Sequence, residues 1–195
     1  MLDELTESMD IGESISVTPA ADHLFTVDTE TGTKIDAGLV VIFHTNTANL
    51  LFLSKRARPD VQMPVAFLCT RVKEPDRDDW KKLGRIMKYL KGTIGIPLIL
   101  GIDDTGVIKW FVDASFAFHN DMKSHTGMFM SMGTGAAAAA SLKQKLNATS
   151  TTESELVGVN DEMPHVLWTR YFLEAQGYII VDNILYQDNQ SSMKL

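Results

Sequence analysis

The order of patterned segments predicts an α/β chain: a mixed sheet with one crossover helix, preceded by a small helical region. Three observations predict it. Helical spacing dominates from Ala37 to Gly92. At Pro97 the period changes to that of strands. A long helical segment, Glu153 to Ala175, then separates these strands from one that returns near the C-terminus. The chain accordingly divides into an acidic leader (1–37), a helical segment (38–96) and an α/β domain (97–195).

Composition suits one or two small soluble domains. The 195 residues are 45% hydrophobic and 22% charged, with a formal net charge of -7. That charge is local: residues 1–37 hold nine of the 25 acids and one of the 18 Lys and Arg residues, leaving the remainder close to neutral. A near-neutral body does not exclude nucleic acid, because recognition depends on where basic residues cluster. The lone Cys69 cannot close an internal disulfide, which suits a reducing compartment and a buried structural thiol. The N-terminus lacks the basic and apolar segments of a secretion signal. The apolar run Ala37–Leu53 is broken by His44, Thr45, Asn46, Thr47 and Asn49, so a soluble helix and no membrane partner are expected.

The leader is acidic, rich in Ser and Thr and without period, and is expected to be disordered or loosely docked. From Ala37 to Arg58, Val41, His44, Ala48 and Leu51 fall at helical spacing. Pro59 stops that helix after the basic cluster Lys55, Arg56, Arg58. A second helix is expected over Val61–Val72, with Pro64 in its first turn. Asp76 suits the N-cap of a third, with Trp80, Leu83, Met87 and Leu90 as the buried stripe and Gly92 at the end. Lys81, Arg85 and Lys88 line another face. No acid falls between Lys81 and Lys91, so this face reads either as a solvated basic surface or as a phosphate contact.

Pro97–Ile102 and Val107–Phe118 read as strands around the turn Asp103-Asp104-Thr105-Gly106. His119–His125 is a polar connection and Gly127–Met132 a further strand. Ala136–Leu142 stands where the next strand belongs, although consecutive alanines favour a short helix by propensity. Lys143–Thr152 is a polar loop whose Ser150 or Thr152 caps the long helix. There Leu156, Val159, Met163, Val166, Leu167 and Phe172 point inward, and Pro164 kinks or restarts the helix. Ile179–Val181 and Ile184–Tyr186 return to β character.

Three acids stand out in this frame. Asp113 lies inside the apolar run WFVDASFAF, where a carboxylate is costly without a cation or metal beside it. Glu155 opens the long helix, and Asp188 closes the strand ILYQD. A sheet and one helix would gather them at the carboxyl ends of parallel strands, where α/β sheets carry ligands. Three such carboxylates suit a magnesium-dependent nuclease. Taken singly, they read as a turn residue, a surface helix residue and a helix cap. His119, His125 and His165 have no cysteine partners and read as surface or core residues, not zinc ligands.

The run VDASFAFHNDMKSHTGMFMSMG resembles the start of the ribonuclease H domain in copia-type retrotransposon polyproteins, which reads S-D-A-D-W-A and then K-S-T-S-G. KQKLNATSTTESELVGV is similar to the family's K-K-Q followed by S-S-T-E-A-E-Y. VLWTRYFLEAQG resembles W-L-R-x-L-L-x-E-L-G, and ILYQDNQSSMKL resembles L-x-C-D-N-Q-S-A-I-x-L. Upstream, SKRARPDVQMPVAFLCTRVKEPDRDDWKKLGRIMKYLKGT is similar to the thumb and connection end of the family's reverse transcriptase. The resemblance covers residues 38–195 and implies a ribonuclease H-like mixed sheet.

By that resemblance Asp113 matches the first metal-binding aspartate, Glu155 the helix glutamate and Asp188 the third carboxylate. Glu153 is the rival for the helix position; it lies two positions away, about 200° round the helix, so both cannot face one metal pair. Asn189 and Gln190 are motif neighbours, and Ser115 and Ser124 are expected near substrate. Lys55, Arg56, Arg58, Lys81, Arg85 and Lys88 are candidate nucleic-acid contacts. The implied chemistry is endonuclease hydrolysis of the RNA strand of an RNA–DNA hybrid by two magnesium ions roughly 4 Å apart. The hybrid would be read by its shape and 2′-hydroxyls. The implied partners are nucleic acid and the rest of a polyprotein. The implied location is a cytoplasmic virus-like particle or the nucleus.

The family's fourth carboxylate follows a further strand and helix beyond Leu195. The resemblance therefore implies a domain incomplete at its C-terminus, with activity weak or absent in this chain alone. The polymerase aspartate pair is missing, since Asp103-Asp104 precedes Thr-Gly in a turn; no DNA synthesis is expected. The alternative is a non-catalytic nucleic-acid-binding or scaffold remnant of the same fold.

Overall fold

The computed structural model describes residues 9, 11–27 and 32–194. The leader readings for residues 1–8, 10 and 28–31 lie outside the described residues. The chain divides into two compact units, Met1–Pro97 and Leu98–Leu195.

The first unit is helical. Helix α1 (Ala37–Arg56) is capped by Asp36, whose side chain accepts the Leu39 amide at 3.0 Å. By length and composition α1 could cross a membrane; its Phe43 and Leu50 are fully buried in this unit's core. A 3-10 turn (Pro59–Val61) leads into α2 (Gln62–Cys69), which is shorter than expected and ends before a run of turns. Helix α3 (Arg77–Gly92) starts in a capping box: Asp76 accepts the Asp78 and Asp79 amides at 2.8 Å, and Asp79 accepts the Asp76 amide at 3.1 Å. Leu83, Ile86, Met87 and Leu90 are fully buried, and Trp80 packs at the margin.

The leader is not disordered where it is described. Its acidity hid three apolar anchors, Ile11, Leu24 and Phe25, which join the core, with Phe25 edge-on to Phe67 at 5.3 Å. Cations of α3 fasten its backbone: Lys82 donates to Thr26 O at 2.6 Å, Arg85 to Thr18 O at 3.2 Å and Lys91 to Gly12 O at 2.9 Å.

The second unit is a four-stranded mixed sheet with one long helix. Its strands are β1 (Val107–Ser115), β2 (His125–Ser131), β3 (Ala138–Lys143) and β4 (Asp182–Tyr186), in the order β3-β2-β1-β4. β1 pairs antiparallel with β2 and parallel with β4. The crossover into β4 runs through α4 (Thr151–Ala175), capped by Ser150. Ile108, Trp110 and Val112 alternate inward on β1 and share a core with Val166 of α4. Trp110 Nε1 donates to Asn183 Oδ1 at 2.9 Å, and Asn183 Nδ2 donates to Val166 O at 3.1 Å, tying β1, β4 and α4 together. Gly158 allows α4 to sit close on the sheet: a Cβ there would meet Thr126 Cγ2 at 3.2 Å.

Three local expectations are corrected. Pro97–Ile102 forms no strand of a hairpin with β1; its chain is joined to 132–134 by backbone bonds, Gly101 and Thr134 bonding reciprocally at 2.9 and 3.1 Å. Gly135 makes this approach possible, since its φ is +76° and a Cβ would collide with Ile99 O. The alanine run is a strand, because Ala138, Ala139 and Ala140 complete the backbone ladder beside Met130, Phe129 and Met128. Tertiary pairing overrides alanine's helical propensity. Pro164 does not start a new segment: it lies within α4, which runs through it to Ala175.

Candidate metal centre

Asp113 stands on β1 opposite Gly127, in the stretch where the strand's inward alternation ends and its residues become exposed. Glu155 is in the first turns of α4, and Asp188 lies two residues past the end of β4. Each offers a carboxylate oxygen, and these oxygens all lie within 4.8 Å of one another. Asp113 and Asp188 are exposed; Glu155 is 6% exposed. Two elements aim Glu155. Gln144, 2% exposed, donates from Nε2 to Ser154 O at 2.8 Å and to Thr126 Oγ1 at 2.9 Å, holding the first turn of α4 against β2. Gln187 Nε2 donates to Glu155 Oε2 at 2.9 Å.

Burial pushes the Glu155 carboxyl above its ordinary range, and the nearby charges of Asp113 and Asp188 push the same way. The hydrogen bonds from Gln187 and the Ala114 backbone oppose the shift. Among the described residues no Lys, Arg or His forms an ion pair with any of the three acids. A converging set of carboxylates without a protein cation fits a hard divalent ion such as magnesium. Asp113, Glu155 and Asp188 are the residues that would hold it.

Glu153 is not in this group. Its Oε2 accepts the Thr149 amide and hydroxyl at 2.6 Å while its amide donates to Ser150 Oγ at 3.1 Å, a local cap on the exposed side of α4. These bonds hold its carboxyl below the usual range.

The expected nucleic-acid residues divide. Ser115 and Gln190 are exposed. Ser124 is fully buried and accepts the Ala117 amide at 3.2 Å, so it shapes the loop after β1 and does not face solvent. Asn189 Oδ1 accepts the amides of Ser191 and Ser192 at 3.0 and 3.1 Å. In the helical unit Lys55, Arg56 and Lys81 are exposed and Lys88 is half-buried. Arg58 is a structural cation instead: it is 8% exposed, pairs with Asp60 at 2.7 Å, donates to Thr93 O and Oγ1 at 3.2 and 2.7 Å, and lies over the Tyr89 ring. Arg85 is partly committed, donating to Thr18 Oγ1 at 2.8 Å. Asp104 closes its turn by accepting the Gly106 amide at 2.8 Å.

His119 and His125 meet at 3.0 Å in the interior, and His125 Nε2 reaches Ser141 Oγ at 2.7 Å. Burial lowers both rings to a pKa of about 4. Sequence reasoning missed Gln144 and Gln187. The only signal for Gln187 was its place beside Asp188; for Gln144 it was its place in the run KQKLNATSTTESELVGV, which resembles the family's K-K-Q but gives no sign of burial.

The chain is similar to retrovirus-related Pol polyproteins of plant transposons. It is 29% identical over 156 residues to that from transposon TNT 1-94 of Nicotiana tabacum and 28% identical over 134 residues to that from transposon RE2 of Arabidopsis thaliana. These matches cover 80% and 68% of this chain but 12% and 9% of the two polyproteins. An uncharacterized mitochondrial protein of Arabidopsis thaliana is 29% identical over 99 residues, 50% of this chain and 41% of that protein. No family model matches the chain, and no solved structure does.

Proposed function

We propose that this chain is a piece of a retrotransposon Pol polyprotein that joins the thumb and connection end of a reverse transcriptase to a ribonuclease H-type nuclease domain. The observation that carries the proposal is the meeting of Asp113, Glu155 and Asp188 from a strand, a helix and a strand end. The similarity to Pol polyproteins supports it independently. The substrate is an RNA–DNA hybrid, met in a cytoplasmic particle or in the nucleus.

Asp113, Glu155 and Asp188 would hold magnesium, which would supply Lewis-acid activation of water and charge stabilisation at the leaving oxygen. The protein's own part is positional. Glu155, buried and tied by Gln187, presents its carboxylate from the protein side, whereas Asp113 and Asp188 present theirs from the solvent side. Exposed Ser115 and Gln190 flank the two aspartates in sequence and are placed to meet sugar or phosphate oxygens.

The test is cleavage of a labelled RNA–DNA hybrid by the purified chain with magnesium, beside Asp188→Asn. Cleavage by the wild type that is lost in the variant supports the nuclease. A folded chain that neither cleaves nor gains thermal stability from magnesium supports the non-catalytic, nucleic-acid-binding reading.

A further inference from the structure

Asp188 stands beyond Phe111↔Tyr186, the last pair between β1 and β4, so the sheet ladder does not fix it. Side-chain bonds do so from both directions. Before it, Gln187 Oε1 accepts the Asn189 amide at 3.1 Å while Gln187 Nε2 donates to Glu155 Oε2 at 2.9 Å. After it, Asn189 caps the turn Ser192–Lys194, and Ser192 Oγ donates to Thr152 O at 3.3 Å. The segment is thus stapled to the first turns of α4 at two points. One staple, Gln187, ends on a member of the carboxylate trio.

We propose that Gln187 is a positioning residue for divalent-cation binding: its amide ties Glu155 to the Asp188 segment and sets how the carboxylates approach one another. This inference rests on the reading of the three acids as a cation site. A neutral amide suits the task. It engages Oε2 of Glu155 without adding charge to the site. A Lys of similar reach would make the same bond but cancel the negative charge that draws the cation. A Gln also bonds in two directions, whereas Lys has no acceptor for the Asn189 amide. Losing the hydrogen-bond partner of a metal-ligating carboxylate commonly weakens metal affinity by about 10-fold to 100-fold.

The test is titration calorimetry with Mn2+ on the full chain, comparing wild type, Gln187→Met and Gln187→Lys, with circular dichroism to check folding. Gln187→Met keeps the length and loses both bonds; Mn2+ binding is expected to weaken by about 10-fold or more. Gln187→Lys is expected to raise the metal-free melting temperature and abolish the titration by placing a cation among the carboxylates; weakened Mn2+ binding by a Gln187→Met chain that melts like wild type is the result a purely structural role would not produce. Wild-type affinity in Gln187→Met overturns the inference while leaving the cation site standing. If Gln187→Met does not fold, wild-type affinity in Gln187→Lys overturns it equally. A wild-type chain that binds no Mn2+ overturns the cation site and this role of Gln187 together.

Discussion

Asp113 on β1 and Asp188, just past the end of the parallel β4, each stand two residues beyond the Phe111↔Tyr186 pair, and their carboxylate oxygens come within 4.8 Å. Parallel pairing sends both chains out of the sheet in the same direction, which brings two acids at matched offsets near each other, and the bonds of Gln187 and Asn189 then hold the Asp188 segment in place. Glu155 completes the set from α4, the element that makes the parallel crossover possible. Topology and site are therefore one arrangement, and the cost of gathering like charges is built into the fold.

That cost predicts the effect of removing one charge. Asp113→Asn relieves repulsion at a partly solvated site, where the gain is of the order of 1 kcal/mol or less. Differential scanning fluorimetry without metal should show a melting temperature a few degrees above wild type. Adding magnesium should raise the wild-type melting temperature and leave the variant unmoved. A variant that still responds to magnesium removes Asp113 from the site.

Glu155 predicts a pH dependence of unusual sign for an acid. Its folded pKa is raised, so the folded state holds this proton more tightly than the unfolded chain. Its contribution is fully present below the ordinary carboxylate pKa and is lost as pH rises through the raised folded value. Glu155→Gln keeps the shape and removes the charge. In metal-free urea unfolding the variant should therefore gain on wild type as pH rises from 4 to 7, and magnesium should restore wild type at the upper end.

The buried imidazoles act in the opposite sense. His119 and His125 fall from 6.5 to about 4 on folding, so the unfolded chain takes up protons first. Stability is full above pH 6.5 and is lost as pH falls toward 4, by of the order of 2 kcal/mol for the pair after solvent screening. Urea midpoints measured between pH 7 and pH 4.5 should fall steeply in wild type. Replacing both rings, in His119→Gln/His125→Gln, should flatten that slope. An unchanged slope would assign the acid sensitivity to other groups.

Much of this was legible because periodicity reports burial. The α3 stripe Leu83, Met87, Leu90 and the β1 alternation Ile108, Trp110, Val112 announce their inward faces directly. What sequence could not report depends on distant partners. Ala138–Ala140 has no strand preference of its own and takes β form only against β2. Pro97–Ile102 has β-type residues, yet its backbone meets 132–134 and not β1. In the described part of the leader, Ile11, Leu24 and Phe25 join the core among many acids, and Lys82, Arg85 and Lys91 fasten its backbone. At the site, Asp113 drew attention as an acid inside an apolar run, yet it is exposed where β1 leaves the core, and of the three acids only Glu155 is buried. The amides that aim them, Gln144 and Gln187, were not legible, since a Gln reveals its role only through what it touches.

The basic residues of the helical unit give the last prediction, because Arg58 and Lys81 look alike in sequence and differ in setting. Arg58 is held between Asp60, Thr93 and the Tyr89 ring, and the Asp60 carboxylate raises the guanidinium pKa further. Arg58→Ala leaves the partly exposed Asp60 with the Tyr89 hydroxyl and removes the bonds to Thr93, and should destabilise this unit by about 1–2 kcal/mol. Lys81 is exposed, so Lys81→Ala should leave stability within about 0.5 kcal/mol of wild type. If α3 meets phosphates, Lys81→Ala should weaken hybrid binding in fluorescence anisotropy and reduce the salt dependence by about one counterion. Arg58→Ala, assayed well below its melting point, should keep the wild-type salt slope. The reverse pattern would place the nucleic-acid contact at the Arg58 cluster and make the basic face of α3 a solvated surface.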